Sequence, residues 1–212
     1  MKNIAIYGAG GFGREIACLI RQINEIKPTW NLIGFFDDDP LKESNRYGKV
    51  LGDLKKLNEW KNPLSVILAI ATPSHLENLV SKIINPMIDF PNIIAPNVNI
   101  FDKDAFTTGK GNLIFFGCRL SCNVTIGDFN LFNGAVSLGH DVKLGSFNVI
   151  QPSTRISGEC KVGDKNFFGV QSIVLQGVKI GNNTRIGTLS VIMRNTKDDS
   201  LYFGNPAKKI KL

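Results

Sequence analysis

The chain has 212 residues, 43% of them apolar and 20% charged, with a formal net charge of +7, which allows one large or two small buried cores and is ordinary for a globular protein. No apolar run approaches the ~18–20 residues that span a bilayer, and Met1-Lys2-Asn3-Ile4-Ala5-Ile6 enters a strand at once instead of building a signal peptide, so a cytoplasmic protein is expected. The charge is uneven: residues 1–93 hold 11 Lys or Arg against 10 Asp or Glu, and residues 94–212 hold 14 against 8, giving +1 and +6. These basic residues are dispersed singly and form no stripe, which argues against nucleic acid and for small phosphorylated ligands.

Ile4-Ala5-Ile6-Tyr7 is a short apolar run ending in Gly8-Ala9-Gly10-Gly11-Phe12-Gly13. That turn satisfies GxGxxG, and a helical pattern follows through Arg14–Ile20, so amide groups at the helix start are placed to cradle a diphosphate. A second run, Leu32–Phe36, stops at Asp37-Asp38-Asp39-Pro40, with Asp37 where a dinucleotide fold carries its ribose-binding acid. A third, Val66–Ile70, stops at Ala71-Thr72-Pro73-Ser74 and leads into a helix predicted to start near Ser74, with Glu77 completing a capping box. This βαβ succession implies parallel strands with ligands beyond their carboxyl ends. About 90 residues hold half of a dinucleotide fold, which disfavours an NAD-dependent oxidoreductase. A nucleotide-sugar clamp built from Gly10, Gly11, Asp37, Asp38, Ala71 and Thr72 suits the size better. His75, just past that loop, reads as structural or as nucleotide-adjacent.

From Ile94 the texture changes. Aliphatic or Phe residues recur every sixth position from Ile114 through Leu120, Ile126, Phe132, Leu138, Leu144 and Ile150 to Ile192, and small or modest residues such as Cys118, Val124, Asn130 and Val136 stand four places after each. Neither a helical nor an alternating period does this. If each hexad makes one short strand and one turn, three hexads close a triangular coil with the aliphatic residue inward; the glycines that often follow it then supply turn conformations that a Cβ resists. The prediction is a parallel β-helix over residues 91–212, after an α/β domain over residues 1–90. Ile94 and Ile100 share the phase, and a short insertion is expected near Phe106 to Gly111.

Cys18, Cys118, Cys122 and Cys160 form no CxxC pair and read as free thiols. The β-helix holds one histidine, His140, which excludes a three-histidine zinc carbonic anhydrase site, and no metal is expected. His140 falls on the turn between the inward Leu138 and Leu144, where a side chain points out. An imidazole there can take a proton from an attacking amine or hydroxyl, and Asp141 can fix its tautomer and stabilise the imidazolium.

A glycine-turn nucleotide-binding domain followed by hexapeptide coils, a mid-helix His140-Asp141 pair and a closing Phe203-Gly204-Asn205-Pro206-Ala207-Lys208 together resemble the bacterial hexapeptide-repeat sugar acetyltransferases, among them nucleotide-amino-sugar N-acetyltransferases and the sialic acid O-acetyltransferase type. The resemblance spans essentially the whole chain. It implies a Rossmann-like half domain followed by a left-handed β-helix, a homotrimer, acetyl-CoA in the groove between neighbouring coils, and a nucleotide sugar on the N-terminal domain.

It further implies His140 as general base and Asp141 as its orienting partner. Asn133 matches an asparagine of the acceptor site, although asparagine equally suits a turn of positive φ. Gly158, Val170, Gly204, Pro206 and Lys208 match positions along the coenzyme A groove; Lys208 and Lys209 meet the coenzyme phosphates or are a solvated terminus. Phe12, on the nucleotide-sugar side, and Val149, on the donor side, stand where the family commonly has histidine, and Val149 has no hydrogen bond to offer a thioester. The expected reaction is acetyl transfer from acetyl-CoA to the amino group of a nucleotide-linked amino-deoxysugar, for surface glycan synthesis. The rivals are O-acetylation of a sugar hydroxyl and a non-catalytic sugar-nucleotide sensor or scaffold.

Overall fold

The computed structural model describes residues 1–210. It divides into two compact units, Met1–Ala71 with His75–Pro91, and Thr72–Ser74 with the chain from Asn92 on. Among the described residues no helix is long and apolar enough to cross a membrane.

The first unit runs β1 (Lys2–Tyr7), α1 (Gly11–Ile26), β2 (Trp30–Phe36), β3 (Val50–Gly52), α2 (Leu54–Asn58), β4 (Leu64–Leu68), α3 (Pro73–Lys82) and β5 (Ile88–Asp89). Its strands form one parallel sheet in the order β3-β2-β1-β4-β5. Ile4, Ala5 and Ile6 of β1 and the whole of β4 are buried, as continuous apolar runs are when both faces of a parallel sheet are covered. α1 buries Ile16, Ala17, Leu19 and Ile20, a stripe at helical spacing. The chain leaves β1 for β2 on one side and reaches β4 on the other, so the carboxyl end of β1 is the switch point where α/β sheets bind ligands. α3 begins at Pro73, just before the predicted start. Ser74 therefore lies inside the first turn and is not the cap, since proline with its fixed φ suits the first helical position.

The second unit is a left-handed parallel β-helix. Its short strands pair in parallel with their counterparts one full coil of three hexads on, for example Thr125 with Lys143 and Lys143 with Lys161. Three faces result. The first carries strands such as Leu131–Phe132 and Val149–Ile150, the second Ser137–Leu138 and Arg155–Ile156, and the third Lys143–Leu144 and Lys161–Val162. Every sixth residue from Ile114 to Ile192 is buried, and so is the residue four places after each from Cys118 to Ser190. A fully buried Val, Leu or Ile contributes about 1.5–3 kcal/mol. Asn112, Asn130, Asn148 and Asn166 stack in one buried ladder: Asn130 and Asn148 each donate a main-chain and a side-chain amide to the side-chain oxygen one coil earlier, and Asn166 donates its main-chain amide, its Nδ2 being buried without a partner, so most polar groups placed inside are satisfied.

Two expectations are corrected. The insertion lies earlier than Phe106–Gly111: Ile100 pairs with Leu120, farther along the chain than three hexads, whereas Thr108 already pairs with Ile126 at the regular three-hexad spacing. The extra residues therefore fall between Ile100 and Thr107. The glycines after the inward residue have no left-handed backbone. Positive φ occurs two places later, at every sixth residue from Gly117 through Asn123, Phe129, Ala135, Asp141 and Phe147 to Leu189, mostly in residues other than glycine. Each such residue costs about 1–2 kcal/mol, which the inward residues offset. Gly127, Gly139 and Gly145 are small for a different reason: a Cβ on Gly139 would strike the Gly158 amide nitrogen, and one on Gly127 would come within 2.8 Å of the Gly145 carbonyl.

Candidate active site

His140 follows Leu138, inward on the second face, and stands on the corner leading to the third. Adjacent side chains of an extended chain point to opposite faces. Asp141 breaks that alternation with φ 59°, and both side chains project from one corner, 49% and 50% exposed. His140 Nδ1 lies 2.8 Å from Asp141 Oδ2. An ionised carboxylate only accepts, so Nδ1 carries the hydrogen and, in the neutral imidazole, the lone pair falls to Nε2, which has no partner among the described residues.

Asp141 Oδ1 accepts from Asn123 Nδ2 at 3.1 Å. These hydrogen bonds, His140's first and Asn123's second, hold the Asp141 carboxyl below its ordinary pKa. A depressed carboxylate pKa makes its contribution present above the usual carboxylate range and lost as pH falls through the folded value, so Asp141 is an anion throughout the neutral range. The turn itself does not demand an acid, because Phe129, Ala135, Ser153 and Leu189 hold the same left-handed place elsewhere.

The His140 ring lies against Gly158, one coil on: a Cβ there would sit 2.5 Å from Nε2 and 2.7 Å from Cε1. Gly158 therefore makes room for the imidazole. The same corner continues through Gln176 to Arg194, each a further coil along. Arg194 lines a cleft of about 450 Å³ with Met193, Tyr202, Pro206 and Lys208. Counting in whole coils from His140 would have found Arg194. Gly204, at φ 105°, ends one strand of the hairpin Leu201–Gly204 with Ala207–Ile210.

On the coils, Asn133, Val149 and Val170 do not share the corner of His140. Asn133 follows the inward Phe132 on the first face, without positive φ, and its amide donates to Gln151 Oε1 at 3.2 Å; a left-handed turn is not what asparagine serves there. Val149 lies on that face between Leu131 and Phe167 and is 0% exposed. Val170 stands on the corner between the first and second faces, 39% exposed. His140, Asp141 and Gly158 occupy the next corner round.

In the first unit, Gly8 takes φ 110° and its amide donates to the Phe36 carbonyl at 2.7 Å. Ala9 N donates to Asp37 Oδ2 at 2.7 Å and Asp39 N to Asp37 Oδ1 at 2.9 Å, so Asp37 braces the glycine turn against the end of β2. A Cβ on Gly13 would overlap the Gly8 carbonyl oxygen, which explains that glycine by close packing of α1 on the turn. A Cβ on Gly10 would meet nothing within 4 Å, and one on Gly11 only the Arg14 guanidinium at 3.7 Å. Gly10 caps α1 without a side-chain hydrogen bond, and Gly11 beside it is exposed; Phe12, half-buried, sits within that first turn.

Asp38 Oδ1 accepts from Leu54 N at 3.0 Å and lines, with Asp37, Asp53 and Lys56, a cleft of about 380 Å³. The Tyr7 hydroxyl is buried without a hydrogen-bond partner in good geometry; burial first, then the nearby Asp38, Asp37 and Asp53 carboxylates, push its pKa upward. Ala71, exposed, and Thr72, half-buried, follow β4.

Residues 3–83 match the PglD N-terminal domain. Across the whole chain, PerB from Caulobacter crescentus, solved with CoA and GDP-perosamine, is 26% identical with a TM-score of 0.84, over 100% of this chain and 98% of that one. The chain has the fold of the bacterial sugar acetyltransferases. A variant of perosamine N-acetyltransferase from the same organism, with a histidine replaced by asparagine, superposes with a TM-score of 0.90 at 24% identity, over 100% and 98%. The acetyltransferase domain of PglB from Neisseria gonorrhoeae, in complex with acetyl coenzyme A, gives 0.89 at 23%, over 99% of each chain. No curated protein sequence matches. Within this acetyltransferase fold the PglD-type unit carries the glycine turn, and the coils carry His140.

Proposed function

We propose that the protein transfers the acetyl group of acetyl-CoA to the amino group of a nucleotide-linked amino-deoxysugar, in the cytoplasm, for surface glycan synthesis. The observation that carries this is the imidazole of His140, fixed by Asp141 at Nδ1 and by Gly158 beneath it, with Nε2 bare. Nε2 takes the proton as the acceptor nitrogen attacks the thioester carbonyl. Asp141 stabilises the imidazolium, main-chain amides of the coil stabilise the oxyanion, and the C–S bond breaks to release coenzyme A. The transfer is direct and needs neither a covalent enzyme intermediate nor a metal. The relatives solved with CoA, acetyl-CoA and GDP-perosamine support the choice of donor and acceptor class.

Arg194 and Lys208 are suited to the coenzyme phosphates. Arg194 lies three coils from His140 along the axis, about 14 Å at the strand spacing of parallel sheets, a span comparable to a pantetheine arm, and Lys208 lines the same cleft as Arg194. At the other end of the reaction, the open Gly10 and Gly11 admit a diphosphate against the first-turn amides.

Asn133, Val149 and Val170 lie one face away from His140. For Asn133 and Val170 a homotrimer reconciles this, because a neighbouring copy can bring them against this corner and complete the groove, whereas Val149, 0% exposed between Leu131 and Phe167, offers no surface to it. Sedimentation should then report three chains, and mixing His140→Ala with Asn133→Ala chains should restore part of the activity that each lacks. The function itself is tested by incubating the protein and acetyl-CoA with amino sugars, hydroxyl sugars and their nucleotide conjugates. Acetylation confined to nucleotide-linked amines is expected. Ester products alone would replace N- by O-transfer, and nucleotide-sugar binding without coenzyme A binding would make the protein a sensor.

A further inference from the structure

The second oxygen of Asp141 has a partner that the reaction as written does not use. Oδ2 meets His140 Nδ1 at 2.8 Å, and Oδ1 accepts a 3.1 Å hydrogen bond from Asn123 Nδ2, one coil earlier. Resting on the acetyl-transfer reading, we propose that Asn123 is a positioning residue that locks the Asp141 carboxylate against His140.

A half-exposed aspartate with a single surface partner competes with water and turns about its own bonds, so one contact holds it weakly. Partners on both oxygens fix the carboxylate plane. The coil supplies the second one by repetition: Asn123 and Asp141 hold the same left-handed place, at φ 54° and 59°. Their coils are tied beside them by Asp141 N donating to the Cys122 carbonyl at 2.9 Å.

That place does not call for asparagine, because phenylalanine, alanine, serine, glutamine and leucine occupy it on other coils. On the opposite side of Asp141 the column continues with Glu159, a like charge. Its Oε1 accepts from Gln176 Nε2 at 3.1 Å, which engages Glu159 elsewhere. Lys143 adds a favourable charge but no hydrogen bond. Among the described residues, Asn123 is thus the one side chain other than His140 that hydrogen-bonds the Asp141 carboxylate.

The test compares Asn123→Ala, Asp141→Ala and the double variant by steady-state kinetics, together with ¹⁵N-histidine spectra of Asn123→Ala and wild type. Ala135 occupies the equivalent turn position, so the alanine is compatible with the fold. Asn123→Ala should lower kcat about three- to tenfold, the scale of one solvent-screened hydrogen bond to a charged group, with both KM values unchanged. It should have no further effect once Asp141 is alanine, and the share of His140 carrying its proton on Nδ1 should fall, with His75 as reference. Unchanged kinetics and tautomer share, or a loss that persists undiminished without Asp141, would overturn the proposal. If the wild-type protein transfers no acetyl group, the acetyl-transfer reading fails by itself. The nitrogen spectra then still decide Asn123, and an unaltered tautomer share overturns it.

Discussion

In the first unit a Cβ placed on Gly10 would reach nothing within 4 Å, whereas in the β-helix one placed on Gly139 would strike the Gly158 amide nitrogen of the next coil. Neither glycine has positive φ, so backbone freedom explains neither. Gly139 is small because the protein fills the space, and Gly10 is small where the space is empty. Gly158 combines the two, since its missing Cβ is replaced by the ring of His140. The same residue type thus marks packing in one unit and empty space in the other, and only the neighbours distinguish them.

That contrast can be broken by adding single methyl groups. Gly139→Ala should be the costliest, about 2–3 kcal/mol of overpacking against a rigid backbone, seen as a melting temperature lower by roughly 5–10 °C; an unchanged melt would refute the packing explanation. Gly158→Ala should leave the melt nearly unchanged but displace the imidazole, lowering kcat about a hundredfold, as misplacing a reacting group by about 1 Å does. Gly10→Ala should also spare stability while weakening nucleotide-diphosphate binding about tenfold in calorimetry, near ~1.4 kcal/mol; full affinity would mean that the empty space is not the ligand's.

The smallest effect concerns the thiols. Burial pushes Cys118 up to about 11 from its ordinary 9.0 and raises Cys160 as well. Both should resist alkylation at about pH 8 while exposed Cys122 reacts, as peptide mapping by mass spectrometry would show. A raised thiol pKa leaves stability intact below the unfolded value and lowers it as pH climbs from 9.0 toward about 11.

The β-helix was legible because burial imposes a period of six on every coil, and the inward series from Ile114 to Ile192 shows it without a break. The glycine beside each inward residue was equally visible, but a sequence does not say whether a missing Cβ serves φ or space; the left-handed turns proved to belong to Phe129, Ala135 and Asp141 instead. β3 and β5, three and two residues long, are too short for any periodicity to emerge. At the site, His140 and Asp141 could be read from their place on a turn. Asn123 and Arg194 could have been read as well, since each lies a whole number of coils from one of the pair. The distribution of Asn133, Val149 and Val170 around another face follows from three hexads per coil and appears only when the coil is closed.

The central claim is that Nε2 of His140 removes the acceptor's proton. It is tested most directly by measuring kcat/KM for coenzyme A release with acetyl-CoA and a nucleotide-linked amino sugar, in wild type and His140→Ala at equal melting temperature. A loss of about 10²–10⁴-fold is predicted, the range of general base catalysis; a variant that keeps the wild-type rate would contradict it.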